Sequence, residues 1–307
     1  MNGKLRKIMA AATTGAVVIA SAMAFMPGTA LAESEDIYVS LGADLDAGQR
    51  AEVLSLMGVT EEDLEGDTVI YVDNEEEHRF LDGFVPQEKI GSKSLSSCKI
   101  TQRENGHGIQ VETHNITYIT PAMYQNALAT AGMKNADVVV AGPLNISGTA
   151  ALVGAMEAYA RLNGQVIQPD AIKAAVQELE TSASLAEVLG DSDKITQLIA
   201  SVKKIIAEND LSDENDLRQA ITDVAAQLGY TLSDSEMNQA MMLMKTIAAL
   251  DLDPEQLTEQ ARAIYGQAGN FGIDLSDYGI SEDEMNSLLD DNAGFIAKAA
   301  NFLTHLF

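Results

Sequence analysis

The chain has 307 residues, 46 of them acidic and 19 basic, giving a formal net charge of −27, with a single cysteine and no tryptophan. A charge of that sign makes nucleic acid an unlikely partner and repels anionic lipid and anionic polymer, so contact with such a surface needs a cationic partner, a bridging divalent ion or uncharged recognition. One cysteine excludes an internal disulfide, and stability must come from a packed core, for which the length supplies material for about one to two domains.

The first element in chain order is a leader. Lys4, Arg6 and Lys7 precede the uncharged run Met9 to Phe25, which ends at Pro27-Gly28 and the small-residue pattern Ala30-Leu31-Ala32. This layout predicts a secretory signal peptide over residues 1–32. Cleavage after Ala32 leaves 275 of the 307 residues, and since the leader holds three of the 19 bases and none of the 46 acids, the mature charge is −30. No cysteine follows the apolar run to take a lipid, and no later run is long and apolar enough to span a bilayer. The mature protein is therefore expected to be secreted and associated with the cell envelope, with no stable transmembrane segment.

Residues 33–164 alternate short β-type runs with helical ones, which predicts an α/β domain built as a mixed sheet with helices packed on it. Ile37, Val39 and Leu41 alternate with Tyr38 and Ser40, while Thr68 to Val72 and Asp137 to Ala141 are continuous apolar runs expected of interior strands. Helices are expected at Asp46 to Met57, Asn74 to Leu81 and Pro121 to Ala131, the last capped by Thr120. Asn105-Gly106 predicts a β-hairpin with a two-residue turn, in which Ile100 faces Val111 and Lys99 faces Glu112. That register puts Cys98 beside Ile100, Ile109 and Val111 on the apolar side, as a buried small hydrophobe.

A boundary is expected near Gln165 to Pro169, and residues 165–307 read as an all-α helical-bundle domain. Four helix starts share one wording, an apolar residue followed by a Ser or Asp cap: Leu211-Ser212, Leu232-Ser233, Leu252-Asp253 and Ile280-Ser281. Ser233 with Glu236 and Ser281 with Glu284 complete capping boxes. The stripe Met237, Met241, Met244 and Ala248 is expected to be core, with an adaptable binding groove as the alternative.

The junction GPLNISGTAALVGAMEAYARLNG, Gly142 to Gly164, draws most attention because an apolar run gives way there to polar residues and then to a helix. A P-loop fails for want of a Lys after Gly148, a nucleophile elbow fails because Asn145 and Thr149 stand where glycines belong, and a dinucleotide loop lacks its third glycine. The structural reading is that Ser147 or Thr149 caps the helix. The functional reading is an anion or carboxylate site on the free amides of the helix start. Candidate ligand-binding residues are accordingly Asn145, Ser147, Gly148 and Thr149, together with the polar loop residues Ser96 and Ser97.

Other chemistry is thin. Ser96-Ser97-Cys98-Lys99 matches the S-x-x-K of penicillin-recognising enzymes, as does Ser201-Val-Lys-Lys204, but no K-T-G follows either. His78, His107, His114 and His305 show no zinc spacing, and Glu75-Glu76-Glu77-His78 reads as a charged first helical turn. Asp210-x-Ser212-x-Glu214 begins like an EF-hand loop, but Asn215 replaces its glycine and Ile221 its bidentate acid, leaving at most weak calcium binding. No catalytic residue, metal site or cofactor is assigned.

Several oligopeptides fall in an order that resembles the YpuA-like family of exported proteins of Gram-positive bacteria, a domain of unknown function (DUF1002). They are Leu41-Gly-Ala-Asp-Leu45, Gln49-Arg50, Ile90-Gly-Ser-Lys-Ser94, Ser96-Ser97, Asn115-Ile-Thr117, Tyr124-Gln-Asn-Ala-Leu128, Thr130-Ala-Gly132 and Ser147-Gly-Thr-Ala-Ala-Leu152, spanning about Ile37 to Tyr159. The resemblance implies export and an envelope setting, and brings no activity or catalytic residues. The expected function is a secreted, non-enzymatic module binding an unknown envelope component or protein. The alternatives are a serine-type hydrolase of cell-wall or peptide substrates, using Ser96 and Lys99 or Ser147 and a histidine, and a calcium-dependent surface protein.

Overall fold

Alternation in the first apolar segment is realised as β1 (Ile37–Gly42), whose Val39 and Leu41 face one side of a sheet while Ser40 faces the other. The computed structural model describes residues 37–64, 69–164, 167–250 and 252–268. The leader, its cleavage site, Thr68, Gln165, the helix start at Ile280 and His305 lie outside them. Among the described residues β2 (Val69–Val72), β3 (Ser97–Gln102), β4 (Ile109–Ile116) and β5 (Ala136–Ile146) join β1 in one five-stranded sheet of order β2-β1-β3-β5-β4. The pairs β1/β2 and β4/β5 are parallel, and β1/β3 and β3/β5 antiparallel. The fold is thus a mixed α/β sheet followed by a helical region, as the sequence predicts.

Three expectations about the strands need correction. The predicted hairpin pairing is not made, because β5 lies between β3 and β4: Ile100 and Val111 both pair with Val138, and Lys99 and Glu112 both pair with Val139. A two-residue turn needs left-handed backbone at both centres, and only Gly106 has it (φ 87°), not Asn105. Asn135 holds the loop open instead, its Oδ1 accepting from Gly106 N at 3.0 Å and Gly108 N at 3.1 Å. The apolar run Val138 to Ala141 then satisfies backbone groups on both sides.

Secondly, Val69–Val72 is an edge strand rather than an interior one. Tyr71 is 57% exposed, with the Arg50 guanidinium 6.0 Å from its ring centroid and reaching its hydroxyl at 3.3 Å. Thirdly, β5 does not break at Gly142-Pro143 but runs on to Ile146. The ladder absorbs the irregularity as a register shift between His114 and Ile116, where Asn115 adopts φ 58° and its amide donates to Gly142 O at 3.0 Å.

One face of the sheet carries α1 (Ala47–Met57) over a small core of Val39, Leu41, Val53, Leu54 and Met57. The other carries α5 (Thr149–Leu162), α4 (Pro121–Thr130) and α2 (Asn74–Leu81) over the larger core, which includes Cys98, Ile100, Val138, Leu128 and Leu152. Cys98 is fully buried, as predicted, and desolvation pushes its thiol up to about 12. Gly154 lets α5 lie directly on β1: a Cβ there would overlap Ser40 Oγ and stand 2.6 Å from Ser40 Cβ.

The chain continues through α6 (Pro169–Leu189), α7 (Ser192–Asn209), α8 (Glu214–Gln227), α9 (Asp234–Ala248) and α10 (Pro254–Ala268). Ala175, Val176, Leu179 and Ala183 of α6 belong to the larger sheet core, while Leu185 joins a second core with Ile199, Ile221, Met241 and Met244. The methionine stripe is therefore interior. Ser233 and Glu236 form the expected capping box, and Asp253 Oδ1 accepts from Glu255 N and Gln256 N. At α8 the cap is Asp213 rather than Ser212, because the helix begins one residue later than the shared wording suggests.

Candidate functional site

The site is a cavity of about 480 Å3 at the start of α5. It opens beyond the carboxyl ends of the parallel strands β4 and β5, where open α/β sheets place ligands. Ile146 ends β5, and two residues later Gly148 turns the chain in the left-handed region at φ 99°. A side chain is excluded there, since a Cβ would meet Tyr124 Oη at 2.5 Å, and the Tyr124 hydroxyl donates to Gly148 O at 2.6 Å.

The expected cap is not formed. A capping side chain belongs on the residue just outside the helix, in extended backbone, and here that residue is Gly148, which has none, so α5 has no local side-chain cap. The acceptor comes from across the sheet: Ser96 Oγ takes the Ala151 amide at 2.9 Å. Ser147 and Thr149 turn elsewhere, their hydroxyls 3.2 Å apart, and the Thr149 hydroxyl donates to Glu77 Oε1. With that proton committed, Ser147 is the donor to Thr149, and a chain of hydroxyls runs Ser147 to Thr149 to Glu77.

Of the residues singled out from sequence, Asn145, Ser147, Thr149 and Ser96 line this one cavity. Gly148 does not line it and only turns the chain between Ser147 and Thr149. Ser97 does not reach it, because its Oγ accepts from Gly42 N at 3.2 Å inside the fold. Lys93, in the polar loop Ile90 to Ser97, lines it as well, while Glu77, Lys89 and Tyr118, which also line it, are not expected from the sequence. Glu77 had one available signal: it lies a helical turn from Leu81, and the two are the buried residues of α2.

Glu77 is 1% exposed. Desolvation pushes its carboxyl up to about 7, against the Thr149 hydroxyl, the Asn74 amide and His78, which favour the ionised form. Its second oxygen, Oε2, has no hydrogen-bond partner among the described residues. On the outer wall the Lys89 ammonium sits 4.3 Å from the Tyr118 ring centroid and 3.3 Å from Glu187. The Tyr118 hydroxyl donates to Glu180 at 2.6 Å, and burial with that carboxylate raises it well above the usual phenol range. Lys93 is exposed and forms no ion pair among the described residues.

Ser96 and Lys99 are not brought together. Ser96 shares the α5 face of β3 with Cys98, whereas Lys99 pairs with Val39 on the α1 face, where its Nζ lies 3.9 Å from the place a Gly58 Cβ would take. His78 bonds Asp82 at 2.8 Å and Gly91 O at 3.2 Å, His107 bonds Asp137 at 2.7 Å, and His114 pairs with Glu112 at 3.2 Å. None of these three lines the cavity. Asp210 ends α7 in left-handed backbone, and among the described residues no group of three His, Cys, Asp or Glu could hold a metal ion.

Residues 41–264 match the family described as "Protein of unknown function (DUF1002)", and the chain belongs to it. A relative, "Uncharacterized protein YpuA" from Bacillus subtilis (strain 168), is 34% identical over 296 residues, covering 95% of this chain and 98% of its own. No solved structure matches. Among the described residues no helix is long and apolar enough to cross a membrane.

Proposed function

We propose that the protein is a secreted cell-envelope module that binds a ligand without transforming it, and that the ligand occupies the cavity at the start of α5. The charge pattern of residues 1–32 supports export. The observation that carries the binding reading is the convergence of Glu77, Ser96, Asn145, Ser147 and Thr149 on one cavity, with a buried carboxyl oxygen there left unmatched. Mixed polar groups converging in a concave site are what ligand pockets are made of. Hydrolysis would require a base at a serine. Ser96 accepts the Ala151 amide with Lys99 behind the sheet, and the Ser147 hydroxyl meets Thr149 rather than a histidine.

A thermal-shift screen of residues 33–307 against muropeptides, amino sugars and short peptides tests the reading, since a ligand that prefers the folded form raises its midpoint. A ligand in the cavity loses its shift in Asn145→Trp, which fills an exposed part of the wall and leaves the unliganded midpoint unchanged. Turnover of an ester or peptide that disappears in Ser147→Ala would overturn the non-catalytic reading.

A further inference from the structure

The chemistry of the cavity floor narrows the class of ligand, on the reading that this cavity is the binding site. Two features there act together. The first is the start of α5, a helix of 14 residues, whose first amides have no acceptor within the helix and whose dipole is positive at that end. Ser96 matches the amide of Ala151, while Thr149 and Ala150 line the cavity. The second is Glu77, 1% exposed and also in the wall, with Oε2 unmatched. An ionised carboxylate with one oxygen buried and unmatched is costly, whereas its protonated form turns that oxygen into a donor in need of an acceptor. An oxyanion meets that need and the helix start at once.

We propose that the cavity binds an oxyanion, the carboxylate or phosphoryl group of its ligand, together with a proton held on Glu77, so that binding strengthens as pH falls. No covalent bond changes: the proton comes from solvent, and the anion accepts from the Glu77 O–H and the α5 amides, with Lys93 at the rim. With Glu77 ionised the same anion would face a like charge in a dry site.

The charged surroundings of Glu77 are mixed. His78 on its own helix favours the ionised form, and Asp44 beyond β1 opposes it. Tyr124 of α4 stays neutral beneath. Glu88, Lys89 and Lys93 lie along the rim, where Glu180 and Glu187 of α6 engage Tyr118 and Lys89. Glu76 faces Glu157 of α5, which burial and that neighbour push up to about 7, against Arg79 and Arg161. Glu157 does not line the cavity and serves as the control.

The test is calorimetric titration of residues 33–307 with inorganic sulfate, which does not titrate in this range, at about pH 5.5 and about pH 8. Wild type binds roughly tenfold more tightly at the lower pH. Glu77→Gln, permanently neutral, binds equally at both, and Glu157→Gln keeps the wild-type step. Should Glu77→Gln not fold, the dependence of the wild-type enthalpy on buffer ionisation at about pH 7 reports the proton directly, and uptake of up to about half a proton is expected, since about half of the free protein already carries it there. Acetate and methyl phosphate titrated in parallel separate a carboxylate ligand from a phosphoryl one, and tighter binding of either supports the proposal. A pH-independent affinity in wild type, a pH step retained in Glu77→Gln, or zero proton uptake overturns it. If sulfate does not bind at either pH while an uncharged fragment still raises the midpoint and loses its shift in Asn145→Trp, the oxyanion falls and the cavity stands. If Asn145→Trp affects no ligand, both fall.

Discussion

Lys203 is a buried charge that the described fold has to match closely. Its ammonium, 1% exposed, lies 2.7 Å from Glu178 Oε1 and donates to Asn126 O and Thr130 Oγ1, each at 2.9 Å. It thereby ties α7 to α6 and α4. Burial lowers its pKa and Glu178 raises it. Removing one partner of such a pair leaves a buried charge unmatched, so Lys203→Met is expected to lower unfolding free energy by about 3–5 kcal/mol in urea titration, and Lys203→Met with Glu178→Leu to recover much of it. The sequence holds the hint, since Lys203 falls a helical turn from Ile199 and from Ile206, on the face that is otherwise apolar. What it does not show is the partner, because Glu178 belongs to another helix and only the packing unites them.

Glu77 gives a second prediction at this scale. Its folded-state pKa is raised from 4.5 to about 7, so its contribution to stability is fully present below the unfolded value, erodes as pH rises, and is lost above about 7. A shift of that size amounts to on the order of 3 kcal/mol. Unfolding midpoints should fall between about pH 5 and about pH 8, and Glu77→Gln should flatten part of that slope, Glu157 supplying a further part in the same direction. From sequence Glu77 reads as a dipole-favoured surface acid, which holds for Glu75 and Glu76 but not for the residue that turns inward beside Leu81.

Among the elements, the helices are the most legible, because a cap and a periodic face are both local. Thr120 accepts the amide three residues on, as predicted, and Asp46 and Asp73 do the same at their own helix starts. Ser233→Ala should cost about 1 kcal/mol by the same logic, measured by denaturant titration. Pairing between strands is legible only where nothing intervenes, and the turn residues Asn105 and Gly106 carry no information that a strand some thirty residues later comes between β3 and β4. The α5 start is opaque for a related reason: its cap, Ser96, is 55 residues away. Gly154 tests how α5 is seated. With the Ser40 hydroxyl in the place a Cβ would need, Gly154→Ala should force α5 off β1 and destabilise by about 1–3 kcal/mol, seen as a lower thermal midpoint.

At the scale of the whole molecule, α6 belongs to two cores, with Leu179 and Ala183 under the sheet's helices and Leu185 among α7 to α9. Asn126 of α4 donates to Thr196 O of α7 at 3.0 Å, so polar as well as apolar contacts join the sheet layer to the helices beyond it. A fragment ending at Gly164 would bare the α4 surface that α6 and α7 cover, and is expected to show weak, non-cooperative melting by circular dichroism where residues 33–307 melt cooperatively.

The placement of β5 also governs how the chain must assemble. During synthesis β3 and β4 are complete before β5 exists, and the shortest closure open to them is with one another. That early ribbon would match the same side chains in the same rows and still be wrong, so it must part before the last strand can be admitted. Refolding should therefore show a slow phase that vanishes when the segment 103–108 is replaced by a stiff, extended spacer, and nascent chains halted near residue 132 should be the ones that clump.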